Sequence, residues 1–537
     1  MCGIIGSTEY KINRIHLNEF RHRGPDEYGI LNDSEVNLGH VRLSIIGKQK
    51  GNQPISYKGI SLVFNGEIYN YLELSQDLKS SYSSDTEVLL HYYIKHGLKK
   101  TLEDINGMFS FAIFDKNKDK LFLVRDRLGI KPLYYSTYNN ELHFCSEINP
   151  LKNVFPLPLT LNPLAVSIFF NCYYIPSPNT IFNEINSLEA GNYLEYNLTN
   201  KTIKNISFWD LKPSTNKSTD VKKLETLLKD SIDIRLRSEV PIGAYLSGGI
   251  DSTAIIKFIA QKRTSFNSYT ALIDNKDLNE KEYAVKASSK YKVNYNELPI
   301  DSSQITLNHL RKLVKHFGQP FADSSIIPTY NISREIAQNV TVALGGDGAD
   351  EVFRGYNKYD STDSLNQRFF RNNNLELLTP EYKKDSLTYL ISNLPFIPSK
   401  DIEILRLLDI KYFLEGDILQ KIDRMSMANS LEVRVPFLDH RIVEWANNLS
   451  FEDLFLKRKK HAVKKLIEND FDQDFIERPK IGFMMNLDWV EKFNTFIKSN
   501  LYKLPIIDKS FNFDKIKDNY LKFAILIFIL WYEENYE

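Results

Sequence analysis

Cysteine is scarce in this chain, with only Cys2, Cys145 and Cys172 in 537 residues. That excludes a disulfide framework, and the spacing excludes a cysteine-based metal site; a reducing compartment fits. An excess of charge of one sign is also missing, because Lys+Arg and Asp+Glu both number 68. No net field draws in nucleic acid or an anionic membrane, so neither is expected as a partner. Long apolar runs are absent too. The most apolar late stretch, Phe523 to Trp531, is too short to span a bilayer and reads as a buried terminal helix. The opening Met-Cys-Gly-Ile-Ile-Gly has neither the basic nor the apolar region of a signal peptide. A soluble, cytoplasmic protein is the expectation.

What is present reads as two kinds of architecture. Over the first two hundred residues, short aromatic and β-branched runs recur between turns, as at Ser61 to Phe64, Phe109 to Phe114 and Leu121 to Val124. The polar segment from Phe114 to Leu121 predicts a hairpin turn. Thr86 to Lys95 predicts a helix with Asp85 as N-cap and Gly97 near its end. Stacked antiparallel sheets with outer helices follow. The polar segment Lys212 to Lys217 marks a boundary, dividing the chain into 1–211 and 212–537. Beyond it, a helix over Asp220 to Arg237 leads into strand, Gly-rich turn and helix (Ile242 to Leu246, then Thr253 to Gln261). Strand Tyr269 to Ile273, helix Glu280 to Tyr291, strand Asn296 to Ile300 and strand Thr341 to Leu344 continue the alternation. That order predicts a doubly wound parallel sheet. From about Asn357 the pattern is mainly helical.

Cys2 becomes N-terminal if Met1 is removed, and such a residue carries its own base, since an α-amine titrates near neutral pH. It is followed in order by Arg23-Gly24-Pro25-Asp26, Arg42-Leu43-Ser44-Ile45-Ile46, Asn65-Gly66-Glu67-Ile68-Tyr69-Asn70 and Ser84-Asp85-Thr86-Glu87. This series resembles the glutaminase domain of class II glutamine amidotransferases, an N-terminal-nucleophile fold, over roughly residues 1 to 200. The resemblance implies that Cys2 attacks the glutamine amide while Asn65 and the Gly66 N–H stabilise the oxyanion. It implies that Arg42 pairs with the glutamine carboxylate and Asp85 with its ammonium. The resemblance also assigns Leu43, Ser44, Ile45, Ile46 and Glu67 to the glutamine-binding surface. Taken singly, Asn65-Gly66 also reads as a hairpin turn and Asp85 as a helix cap.

In the second half, Leu246-Ser247-Gly248-Gly249-Ile250-Asp251-Ser252 follows an apolar strand and opens a helix. Its glycines, hydroxyls and helix amides suit a phosphate, and it lacks the Gly-Lys-Ser/Thr ending of a Walker loop. It is similar to the loop of enzymes that cleave ATP to AMP and pyrophosphate, which implies ATP as substrate, with Asp251 beside Mg²⁺. Leu344-Gly345-Gly346-Asp347-Gly348-Ala349-Asp350-Glu351 again follows a strand. In asparagine synthetases, which this half resembles, the matching loop covers ATP and the activated acid. That implies an amination role for Asp347, a second Mg²⁺ carboxylate in Asp350, and nucleotide contacts from Ala271, Gly345, Gly346 and Lys460. Lys460 lies in a basic run, Lys457 to Lys460, that leaves its register open. Lys421 to Ala428 and Leu431 to Asp439 resemble the synthetase's helical signature. Asp423 and Arg424 read equally as ligand contacts or as internal ion pairs. Cys145 and Cys172 read as packed core residues.

The whole chain thus resembles glutamine-hydrolysing asparagine synthetase, which implies that ammonia released from glutamine at Cys2 attacks an acyl-AMP and that the protein is a homodimer. Departures include Gly345 for serine, Asp347 for glutamate and Leu272 for glycine. They leave open another acid, such as a uronic acid, beside aspartate as acceptor, and a catalytically inactive regulatory homologue stands as the alternative class.

Overall fold

The computed structural model describes residues 2–536 except 49, 214–220, 274–279, 301–304, 373–374 and 479–484. Two antiparallel six-stranded sheets form the first half. One runs Asn186–Ser187, Tyr134–Ser136, His143–Cys145, Gly3–Ser7, Asn37–Arg42, Glu27–Asn32; the other runs Ile203–Ser207, Asn192–Asn197, Lys120–Arg125, Gly107–Asp115, Ile60–Ile68, Ile55–Tyr57. Ile4, Leu38 and Phe144 of the first meet Val63, Ala112, Leu121 and Leu123 of the second, so the sheets stack face to face. The outer face of the second packs Phe64, Phe109 and Phe111 under a helix through Val88, Leu89, Tyr92 and Tyr93. The hairpin expected between Phe114 and Leu121 is present, with Lys116–Lys118 as its turn.

Three local readings change. The helix over this sheet runs Asp85–Asp104, kinked at Gly97, and its cap is Ser84, whose side chain accepts from the Glu87 N–H. A serine preceding Asp85 takes the capping geometry and releases the carboxylate of Asp85 for other partners. Asn65 and Gly66 are no turn: they lie inside strand Ile60–Ile68, paired with Ser110 and Phe109. Helix Ile250–Ala260 starts three residues earlier than expected, which puts Asp251 and Ser252 in its first turn.

The second half holds a five-stranded parallel sheet in the order Asn294–Ile300, Asn267–Ile273, Ile242–Tyr245, Val342–Leu344, Glu432–Arg434. The expected doubly wound sheet is therefore present, with a fifth strand. Glu432–Arg434 lies where a helical signature is expected; its buried Glu432 and Arg434 bond each other, so a charged tripeptide serves as a buried edge strand. Chain order reverses between Ile242–Tyr245 and Val342–Leu344. Ligands bind at such a switch point, outside the carboxyl ends of the strands.

Helix Val221–Arg235 precedes this sheet; of the expected linker, residues 214–217 lie outside the described residues. The final helix, Asn519–Tyr536, is buried along most of its length and returns to the first half. Phe528 packs on Phe169 and Phe170 of helix Pro163–Cys172, and Trp531 packs on Phe182. No helix among the described residues is long and apolar enough to cross a membrane.

Candidate active sites

Cys2 immediately precedes strand Gly3–Ser7 and is buried, as are Cys145 and Cys172. Burial pushes its thiol up to about 11, although the chain's N-terminal charge and a hydrogen bond from the Leu43 amide pull the other way. Its backbone nitrogen donates to Asn65 Oδ1 at 3.3 Å, and its carbonyl accepts from Arg23 Nε at 3.0 Å. Asn65 Nδ2 in turn faces Ser110 Oγ at 3.4 Å. Gly66 has φ +150°, and a Cβ there would meet the Met108 carbonyl at 2.0 Å. Only glycine fits this register, so the strand fixes Asn65 beside the cysteine.

Around this thiol the sequence-selected residues divide. Arg42 is buried; it donates to Glu27 Oε2 at 2.7 Å, to the Gly47 carbonyl at 2.7 Å and to the Ile46 carbonyl at 3.2 Å. Its guanidinium thereby shapes the loop that follows Leu43. The Ser44 amide donates to Asp26 at 2.8 Å, and the Ile45 carbonyl accepts from the Glu239 amide at 3.0 Å. Asp85 takes the Ile68 and Thr86 amides at 3.0 and 2.9 Å, yet burial still raises its carboxyl to about 6. Burial, then Asp85 and Glu432, hold the Glu67 carboxyl well above the ordinary range. Glu67 Oε2 is buried with no hydrogen-bond partner among the described residues. Arg434 already lies 3.6 Å from Glu67 Oε1, and the two buried acids, which raise one another's ionisation cost, suit a further cationic group on the side of Glu67 Oε2.

The second site forms at the switch point. Ser247 Oγ lies 3.2 Å from Ser252 Oγ and accepts from the Gly249 amide, so the hydroxyls close the Gly-rich loop onto the helix start. Lys460 Nζ lies 2.5 Å from Asp251 Oδ2 and 2.6 Å from Asp350 Oδ1. Burial acts to lower the lysine, but the two carboxylates outweigh it and hold its proton firmly. Lys460 itself has φ +52°, a left-handed cap to helix His461–Lys465, which singles it out from the basic run. Gly346 sits against Asp251, where a Cβ would lie 3.1 Å from the aspartate Cβ. Ala271 lies on the neighbouring strand Asn267–Ile273, and Leu246 is buried beneath the loop.

Burial raises Asp347; Lys421 opposes this, and Asp350 and Asp251 add to it. A Cβ on Gly345 would come within 2.6 Å of Asp347 Oδ2, so the glycine leaves room for this carboxylate to fold back over the loop. Lys421 also faces Asp323 at 3.8 Å and Asp417 at 3.6 Å, and Arg371 bonds both of those acids.

Asp423 and Arg424 resolve as ion pairs. Arg23 donates to Asp423 at 2.8 and 3.1 Å, Lys131 lies 3.3 Å from the same carboxylate, and Arg424 pairs with Glu147 at 2.9 Å. Burial alone would raise Asp423, but Arg23 and Lys131 hold it down to about 2. Every one of these groups is buried. Through Arg23, the carbonyl of Cys2 is thus tied to a helix of the second half, Gln420–Met427.

The Asparagine synthase family model matches residues 223–510, and the Glutamine amidotransferase domain model matches residues 1–209. The chain belongs to the asparagine synthase family. It is 30% identical to asparagine synthetase [glutamine-hydrolyzing] 1 of Bacillus subtilis, covering 96% of this chain and 92% of that one. It is 31% identical to asparagine synthetase 2 of the same organism, over 91% and 72% respectively. A putative asparagine synthetase of Methanocaldococcus jannaschii is 35% identical over 66% of this chain and 76% of its own. This asparagine synthase-family chain is a carbon–nitrogen ligase by class.

Some residues of the synthase-family sites carry no local signal. Arg23 is visible in the Arg23-Gly24-Pro25-Asp26 motif, but its partner lies 400 positions away. Arg371 and Asp323 sit outside any motif, and only the fold brings them to Lys421.

Proposed function

We propose that this enzyme transfers the amide nitrogen of glutamine to an acid activated by ATP, with L-aspartate as the acceptor and L-asparagine as the product. The observation that carries the reading is the convergence of the Ser247–Ser252 loop, the Gly345–Asp350 loop and Lys460 at one switch point. We read residues 1–211 as the glutaminase and 212–537 as the synthetase.

A thiol near 11 stays protonated at neutral pH, so it needs a base beside it. Once Met1 is removed, the α-amine of Cys2 is that base: it takes the thiol proton while the sulfur attacks the glutamine amide carbon. Asn65 accepts from the same nitrogen and orients it. The developing oxyanion takes hydrogen bonds from Asn65 Nδ2 and the Gly66 amide, and the proton then passes to departing ammonia. Glu67 and Asp85 receive the glutamine ammonium, with Arg42 toward its carboxylate. In the synthetase half, the acid's carboxylate attacks the α-phosphorus of ATP and expels pyrophosphate. Ammonia then displaces AMP from the acyl-AMP, with Asp347 placed to take a proton from the incoming nitrogen. Asp251 and Asp350 supply hard oxygen ligands and so suit Mg²⁺, which would neutralise phosphate charge. Lys460, already paired with both, adds a fixed positive charge.

Asn65→Ala removes one oxyanion donor and is expected to lower glutaminase kcat by about 10²–10³-fold, with ammonia-dependent synthesis intact. A loss equal in both assays would point instead to damage to the fold. Asp85 adds a pH signature. Above about 6 it is a carboxylate and attracts the substrate ammonium; below that it is neutral. The glutamine kcat/KM is therefore expected to fall about tenfold per unit below pH 6. A flat profile down to pH 5 would remove Asp85 from the binding charge.

The deciding experiment follows pyrophosphate release with glutamine, ATP and Mg²⁺ while candidate acids are added singly. Aspartate-dependent release with asparagine formed supports the reading. Intact glutaminase without aspartate-dependent release moves the acceptor to another acid, such as a uronic acid. Silence in both reactions from folded protein overturns the enzyme reading.

A further inference from the structure

Outside the residues discussed so far, one guanidinium reaches the nucleotide loop from behind. Arg478 follows helix Gln473–Glu477, and its side chain is 7% exposed. Its Nη2 donates to the Gly248 carbonyl and lies 3.4 Å from Glu280 Oε1, while Nη1 donates to the Phe475 carbonyl at 3.0 Å. The guanidinium carbon stands 3.8 Å from the Tyr283 ring centroid and 4.7 Å from that of Phe475. Those rings meet edge to face at 5.6 Å, forming an aromatic corner against the cation.

Gly248 is the residue that this corner controls. It has φ +86°, and a Cβ on it would meet the Ala284 nitrogen at 2.7 Å, so the loop lies flush on the start of helix Lys281–Tyr291. A peptide's C=O and the next N–H point in opposite directions. Anchoring the Gly248 carbonyl toward Arg478 therefore turns the Gly249 amide away from Arg478 and onto Ser247 Oγ at 3.1 Å, which fixes the hydroxyl side of the loop where a phosphate would sit. Without Arg478 that carbonyl keeps only the Thr253 hydroxyl, at 3.3 Å, so the peptide is held less firmly, and a flipped carbonyl would oppose a pyrophosphate's negative charge. Burial lowers Arg478's basicity, with Glu280 opposing; the arginine nevertheless stays charged at any working pH.

We propose that Arg478 is a positioning residue for the nucleotide: it locks the Gly248 peptide so that the Ser247–Ser252 loop presents donors to the pyrophosphate end of ATP. This rests on the ATP-dependent reading above. A lysine substitutes poorly, because an ammonium is not planar and cannot stack on a ring while donating to both carbonyls.

The test measures equilibrium binding of ATP to the full-length protein, wild type against Arg478→Ala and Arg478→Lys, with glutaminase activity recorded on the same samples. Losing a charge-assisted hydrogen bond from the loop is expected to weaken ATP binding by at least about tenfold in Arg478→Ala. Arg478→Lys is expected to fall between that variant and wild type, with glutaminase activity unchanged in both. ATP binding equal to wild type in either variant with intact glutaminase would overturn the proposal. If Arg478→Ala fails to fold, Arg478→Lys decides by the same comparison. Wild-type protein that binds ATP but makes no pyrophosphate with any acid defeats the proposed reaction, while the binding comparison still judges Arg478. Wild-type protein that fails to bind ATP overturns both.

Discussion

Replacing Cys2 with alanine is expected to lower glutamine-dependent synthesis by about 10⁴-fold or more while ammonium still supports the reaction. The size follows from the chemistry, because neither of the other two cysteines stands at the site. Cys145 lies on strand His143–Cys145 beside strand Gly3–Ser7, buried in the core, and burial raises its thiol to about 12. Cys172 is buried inside helix Pro163–Cys172. Cys2→Ser separates attack from geometry: it keeps the α-amine and shape but offers a poorer nucleophile. Parallel assays with glutamine and with ammonium check the outcome. Equal loss in both would mean that Cys2 supports the fold rather than the chemistry, and unchanged glutamine use would remove it from the mechanism.

Asp423→Ala is expected to have the largest effect on stability. Its carboxylate is the shared partner of two buried cations, Arg23 and Lys131, and removing it leaves Lys131 without its ion-pair partner and Arg23 with Glu147 alone. Breaking a buried ion pair from one side costs about 3–5 kcal/mol, because the surviving charge stays desolvated. Asp423→Asn keeps the shape and some hydrogen bonding and is expected to cost less. A second consequence is testable separately. Arg23 also holds the Cys2 carbonyl, so glutaminase activity is expected to fall although Asp423 belongs to the other half. Denaturation midpoints and glutaminase rates on the same variants check both effects. A wild-type midpoint in Asp423→Ala would show that these charges find other partners or water.

How far these features are legible in the sequence depends on distance along the chain. The Ser247–Ser252 loop and its flanking strand and helix are readable because glycine, serine and an apolar run act within a dozen residues. The stacked sheets are readable from recurring short aromatic runs. The start of helix Asp85–Asp104 is misread by one residue because Ser84 and Asp85 are both good caps, and only packing decides which one turns inward. Strand Glu432–Arg434 is hidden because three residues, two of them charged, carry no apolar alternation; their burial depends on one another and on neighbouring strands. Lys460 is hard to choose among its basic neighbours, since its left-handed backbone is a property of the folded turn. The pairing of Arg23 with Asp423 is invisible in principle, since no local spacing records a contact across 400 positions.

The return of helix Asn519–Tyr536 to helix Pro163–Cys172 also has a consequence in time. Phe169, Phe170 and Phe182 are translated well before their partners Phe528 and Trp531. At about 5–20 residues per second, the roughly 350 residues between them take about 20–70 s to synthesise. Throughout that interval the first half has its strands and its nucleophile but an uncovered aromatic face. The nascent chain is therefore sticky over that interval and becomes safe only once helix Asn519–Tyr536 has been made.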